Sequence, residues 1–226
     1  NPTGGVWRPE AIIKILEIAK SKNWIVISDE CYERLGYDGE FFSAEKLNRD
    51  NKIGATIVTC ISLSKTYAMT GWRIGYAAGP ASLIKAMGTI QSQSTSNPNS
   101  IAQAASVTAL DGPMAFLESN NEVFKARRDL VVSMLNQAPG INCHTPEGAF
   151  YVYPSVSGCL GKTAPSGKVI GNDEDFVSEL LGAEGVAAVH GEAFGLSPHF
   201  RISYATATEV LEDACQRIQR FCASLT

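Results

Sequence analysis

Clusters of basic residues are missing from this 226-residue sequence, whose 19 lysines and arginines are scattered among 23 acidic residues for a net charge of −4. That balance leaves no electrostatic footprint for nucleic acid or for an anionic membrane surface, so a small molecule is the expected partner. Long apolar runs are missing too: no stretch approaches the ~20 residues that a membrane-spanning helix needs. The amino terminus lacks the basic, apolar, small-residue order of a signal peptide, and a cytoplasmic location is the expectation. Six cysteines, Cys31, Cys60, Cys143, Cys159, Cys215 and Cys222, contain no CxxC pair, and His144, His190 and His199 share no metal-binding spacing. Reduced thiols fit that scatter better than a disulfide framework or a zinc site.

What is present is a globular composition, 45% hydrophobic and 19% charged, with apolar material for a sizeable core and for two domains. Pro9 followed by Ala11, Ile12, Ile15, Leu16, Ile18 and Ala19 has the three-and-four spacing of an amphipathic helix. Residues 24–29 are continuously apolar up to Ser28-Asp29, which predicts a parallel strand covered on both faces. Residues 55–61 predict a second such strand and 74–78 a third. Helix, strand, loop, strand is an α/β pattern, and open α/β sheets carry their ligands at strand carboxyl ends. Helices are predicted over 80–88 and 101–110, separated by a polar loop at 91–100. Asp111-Gly112-Pro113 breaks the pattern, and 114–137 reads as one long helix linking to a smaller α+β domain. In that domain, strands are predicted at 148–154, 186–189 and 200–204 and helices at 173–181 and 207–225, with 155–171 as a surface loop. The expected division is therefore 1–112 and 113–226.

The chemistry concentrates in Ser62-Leu-Ser-Lys65-Thr-Tyr-Ala-Met-Thr-Gly71-Trp72-Arg73-Ile-Gly75-Tyr76. A lysine at the end of a buried strand presents an amine nucleophile. Eight positions on, Arg73 supplies a planar, permanently charged fork for a phosphate, and Ser62 and Ser64 add hydroxyl donors. A phosphate held beside an aldehyde-capturing lysine points to pyridoxal 5'-phosphate. The competing reading, a surface lysine ahead of a loop, fits poorly with the glycines and with Tyr67, Trp72 and Tyr76 around it. Arg201 lies in an apolar strand, Phe200-Arg201-Ile202-Ser203-Tyr204, where a guanidinium needs a partner, and the α-carboxylate of an amino acid is a bidentate one.

These segments, with Asn1-Pro2-Thr3-Gly4 and Ser28-Asp29-Glu30-Cys31-Tyr32, resemble in the same order the motifs of the class I/II aminotransferases of fold type I. The wording is most similar to bacterial-type aspartate aminotransferases, some with aromatic or prephenate side activities. The resemblance implies the carboxyl-terminal portion of a large α/β domain with a mostly parallel sheet, followed by a smaller α+β domain. It implies pyridoxal phosphate as cofactor, with Lys65 as its Schiff-base lysine and Ser62, Ser64 and Arg73 on its phosphate. Asp29 would pair with the ring nitrogen, Asn1 and Tyr32 with the ring oxygen, and Arg201, aided by Asn1, with the substrate α-carboxylate. The implied reaction is transamination of L-aspartate with 2-oxoglutarate in a homodimer, with aromatic amino acids or prephenate as the alternative substrates. Segment 91–100 carries no arginine for a side-chain carboxylate, and His190 replaces the proline of the family's PGxAFG segment. The family places the Asn1 motif well inside the large domain, and there is no initiating methionine, so the upstream half is expected to be absent and the chain inactive alone.

Two other classes compete on the residues. A nucleotide hydrolase would use Asp29 for magnesium and Gly161-Lys162-Thr163 for phosphate, but GxxxxGK[ST] needs glycine where Val156 stands. An inactive module with an aminotransferase-like fold is the other reading, since a fold does not itself confer activity.

Overall fold

In the computed structural model, which describes residues 1–226, the first helix starts on a proline. At that position no amide is left unsatisfied, and α1 runs Pro9–Ser21 from it. Its buried Leu16 packs with Ala44, Ala55 and Ile57. Next come β1 (Ile25–Asp29) and β2 (Thr56–Ser62), parallel and in register from Ile25 opposite Thr56 to Asp29 opposite Cys60. Parallel neighbours need a crossover. Here it includes α2 (Ala44–Asp50), whose buried Asn48 side chain donates to the Ala55 carbonyl (3.1 Å) and accepts from the Ala55 amide (2.9 Å). Asn48 thereby fixes where β2 begins.

The third strand, β3 (Gly75–Ala78), pairs antiparallel to β2, with Gly75 opposite Ser62. Within this chain the sheet, ordered β1-β2-β3, therefore holds one parallel and one antiparallel pair. Gly75 permits the close approach: a Cβ there would stand 2.5 Å from the Ile61 carbonyl oxygen. Ile57 and Val58 of β2 are buried, but Ile25 and Ile27 of β1 are 55% and 73% exposed, so the predicted cover on both faces holds for β2 and not for β1.

After β2 come the single turn α3 (Leu63–Thr66), then α4 (Ala81–Ser94) and α5 (Ser100–Asp111). α4 runs through Gly88 into the segment expected as a loop, because an interior glycine costs only about 1 kcal/mol and no proline intervenes before Pro98. Asn99 caps α5, its Oδ1 accepting from the amides of Ile101 and Ala102.

The chain divides into two compact units, Val6–Glu118 and Asn1–Gly5 with Ser119–Thr226. The division falls inside α6 (Phe116–Leu135), six residues beyond the sequence boundary at 112. Asn1–Gly5 join the second unit, where the amides of Glu147 and Gly148 donate to the Gly4 carbonyl. That unit is α+β: β4 (Tyr151–Val152), β6 (Phe200–Ser203) and β5 (Val189–His190) form an antiparallel sheet in that order. Helices α7 (Asp173–Glu184) and α8 (Thr208–Ser224) pack their rings with it, Phe176 lying 5.3 Å from Phe200 and 5.4 Å from Phe221. Segment 155–171 is more than a surface loop. It buries Val156, Cys159, Ala164 and Ile170, and Thr163 bridges to Val169.

Candidate active site

The register of β1 and β2 brings Asp29 and Ser62 to the carboxyl end of the same parallel pair, and the antiparallel return of β3 brings Arg73 and Gly75 there too. Six of the expected site residues, Asp29, Tyr32, Ser62, Ser64, Lys65 and Arg73, thus belong to the unit Val6–Glu118. Ser62 ends β2 and caps α3, its Oγ accepting from the Ser64 amide at 3.1 Å. A hydroxyl that accepts an amide still has its own proton to give. Lys65 rides on that single turn, with its Nζ 6.0 Å from the centre of the Tyr32 ring. Ser64, by contrast, is buried at 8% exposure.

Asp29 is exposed at the strand end, and its Oδ1 accepts from the Cys31 amide at 3.3 Å. Burial, and then the Asp29 carboxylate, push the Cys31 thiol up to about 11. The next acid, Glu30, points inward. Its buried carboxylate accepts from Ser28 Oγ (2.8 Å), Ser43 Oγ (3.2 Å) and the Ala44 amide (3.0 Å), tying the end of β1 to the start of α2.

Arg73 takes a left-handed backbone conformation (φ 53°, ψ 49°), and its Nη1 donates to the Thr70 carbonyl at 2.8 Å. It lines an open cleft of about 780 Å³ together with Trp72, Gln91, Thr95, Asn97 and Asn99. The donor set of this edge fits a phosphorylated pyridine aldehyde: an amine nucleophile, a carboxylate one strand away, hydroxyls at a helical turn, and an arginine. No group of three His, Cys, Asp or Glu residues is placed to hold a metal ion, and no helix is long and apolar enough to cross a membrane. Gly161-Lys162-Thr163 starts no helix. Thr163 instead exchanges backbone hydrogen bonds with Thr226, so the helix amino terminus that a phosphate loop needs is missing there.

The other two expected residues, Asn1 and Arg201, meet in the second unit, where Arg201 Nη1 donates to Asn1 Oδ1 at 3.0 Å. The guanidinium carbon lies 4.5 Å from the centre of the Tyr151 ring and 4.6 Å from that of Phe194, the phenylalanine of the PGxAFG-like segment; the motifs give neither ring a role at this arginine. Tyr151 faces Ser203 across β4 and β6, and Phe194 stands on the turn after β5. Beneath that turn lies Asp173, 1% exposed. Burial acts to raise its pKa, but donation from Ser197 Oγ and from the amides of Glu192, Asp173 and Gly191 outweighs it and holds the carboxyl below the usual carboxylate range. Burial, followed by this same carboxylate, pushes the neighbouring Tyr153 phenol up.

The family model for aminotransferase class I and II matches residues 1–218. A probable aspartate/prephenate aminotransferase of Rhizobium leguminosarum bv. phaseoli is 56% identical over 225 residues, covering 99% of this chain and 56% of the relative. An aspartate/prephenate aminotransferase of Cereibacter sphaeroides is 56% identical over 227 residues, covering 100% of this chain and 56% of the relative. The crystal structure of the aspartate aminotransferase from Rhizobium meliloti superposes with a TM-score of 0.94 at 47% identity, over 100% of this chain and 56% of that one. The chain thus spans little more than half the length of the curated relatives it matches.

Proposed function

The chain belongs to the class I and II aminotransferases, and from that premise we propose that it carries the lysine-bearing part of an enzyme transaminating L-aspartate with 2-oxoglutarate. The observation that carries the reading is the sheet edge at which Lys65, Ser62 and Asp29 stand at the ends of paired parallel strands. Pyridoxal phosphate, when bound, supplies the electron sink that makes loss of the α-proton feasible. Lys65 Nζ would hold the cofactor through its aldehyde and, when free, would carry the proton taken from the substrate's α-carbon. Ser62 and Arg73 hold the phosphate, with Ser64 contributing its amide to the turn. Asp29 would pair with the protonated ring nitrogen, and Tyr32 with Asn1 would hydrogen-bond the ring oxygen. Arg201 takes the α-carboxylate through its N–H groups, its guanidinium set against the rings of Tyr151 and Phe194. Two half-reactions through one site imply ping-pong kinetics.

Prephenate as amino acceptor is the second reading, favoured by the names of the two relatives at 56% identity. A homodimer in the cytoplasm completes the proposal, and sedimentation tests the former. Borohydride reduction of the cofactor-loaded enzyme, followed by peptide mapping, tests the central assignment. Label on Lys65 and its loss in Lys65→Ala, with turnover down at least roughly 10⁴-fold, are expected. Label on Lys85 or Lys162 would remove Lys65 from its role.

A further inference from the structure

The two rings beside Arg201 are supported in different ways. Tyr151 belongs to β4, which is hydrogen-bonded to β6 beside the arginine itself. Phe194 stands on the turn 191–197, which leaves β5 and returns to β6. The turn is tightly closed. A Cβ at Gly191 would collide with the Leu196 carbonyl oxygen and come within 2.7 Å of the Tyr153 hydroxyl. That hydroxyl lies 3.0 Å from the carbonyl oxygens of both Gly191 and Leu196 and donates between them.

On its other side the turn is held by one carboxylate. Asp173, in the first turn of α7, accepts from the Glu192 amide at Oδ2 (2.9 Å) and from Ser197 Oγ at Oδ1 (2.7 Å). We propose that Asp173 is a positioning residue: by gripping the turn at Glu192 and Ser197 it holds the Phe194 ring on Arg201 and so orients the guanidinium for a substrate carboxylate. This rests on the reading of Arg201 as the carboxylate-recognising group.

The physical case lies in what the carboxylate would lose. A buried charge without partners is strongly disfavoured, and the partners of Asp173 include the ends of this turn, so any outward movement of the turn strips it of donors. Hydrogen bonds to an ionised acceptor are also about twice as strong as neutral ones, and at 1% exposure no water competes for them. The turn is thereby held near one position, and with it the ring. With ring centres 4.6 and 4.5 Å from the guanidinium carbon, Phe194 and Tyr151 restrict the orientations the group can take, so a shift of either ring shifts the N–H groups that a carboxylate would meet.

The test is made in the cofactor-loaded enzyme obtained by co-expression with the upstream portion of the 56%-identical Rhizobium relative, with two readouts, steady-state kinetics and calorimetric titration with succinate, a dicarboxylate that has no amine to react. Asp173→Ala should raise KM for the amino acid and the 2-oxo acid, and weaken succinate, by about tenfold, with kcat within about twofold. Asp173→Asn, which can accept from Glu192 and donate to Ser197 Oγ, should recover most of that loss. In a Phe194→Ala background, Asp173→Ala should add less than about twofold, since the ring it positions is gone. Should Asp173→Ala fold poorly, Ser197→Ala, which removes a single donor, should show the same KM-selective effect on a smaller scale. Unchanged KM and succinate affinity in these variants, or equal effects with and without Phe194, would overturn the proposal. If Arg201→Lys also leaves succinate binding unchanged, the reading of Arg201 itself has failed, a result separable from failure at Asp173 alone.

Discussion

Asp29 leaves a signature that can be read without turnover. Burial first, and then the Asp29 carboxylate, lift the Cys31 thiol to about 11, which disfavours the thiolate that alkylation needs. Asp29→Ala removes that contribution, and Cys31 should alkylate faster at pH 8 as its pKa falls. In the same variant transamination should drop by about a hundredfold or more, since the ring nitrogen loses its ionic partner. Full activity, or activity that requires magnesium, would return Asp29 to the hydrolase reading. Most of the candidate site is legible at this scale, because Lys65, Arg73 and Asp29 sit at fixed offsets within short segments. Tyr151, Phe194 and Asp173 are not. Their roles arise where β4, the turn after β5 and α7 meet β6: Tyr151 and Asp173 lie 50 and 28 positions from Arg201, and although Phe194 is only seven away, no regular spacing marks a ring there as its neighbour.

Single elements show where periodicity succeeds and where it stops. α1, α6 and α8 have apolar faces several turns long and are legible to within a few residues. α2 is only seven residues, Ala44–Asp50, too short for a repeat, and its place is set by a tertiary contact through Asn48. β4 keeps only Tyr151 and Val152 of the apolar run 148–154; Pro154 accepts from the Phe200 amide of β6 at 3.1 Å but has no amide of its own to extend the ladder. β3 pairs antiparallel, although its composition matches that of a parallel strand. Asn48→Ala is expected to destabilise the unit Val6–Glu118 by about 2 kcal/mol or more, because the buried amide and carbonyl of Ala55 lose their partners together. Denaturant unfolding measures it, and a change within 0.5 kcal/mol, the size of an ordinary surface substitution, would show that Asn48 does not anchor β2.

For the whole molecule, the outer edge of β1 and its exposed Ile25 and Ile27, with Trp24 beside them, form an apolar strand edge of the kind that recruits other chains. Expressed as residues 1–226, the protein is expected to self-associate in sedimentation and to show no aspartate-dependent turnover with added pyridoxal phosphate. Co-expression with the upstream portion of the 56%-identical Rhizobium relative should suppress the association and restore activity. A monodisperse, active 226-residue chain would refute this. The second unit is also discontinuous in sequence: the bond from Arg201 to Asn1 joins residues 200 positions apart. A ribosome adding roughly 5–20 residues per second needs about ten to forty seconds to travel that distance. During that interval Val6–Glu118 has already emerged and can fold, while Asn1–Gly5 wait for partners not yet made. The carboxylate-binding corner is therefore among the later parts of this chain to assemble during its synthesis, and a message truncated before the codon for Arg201 would yield the lysine-bearing sheet without it.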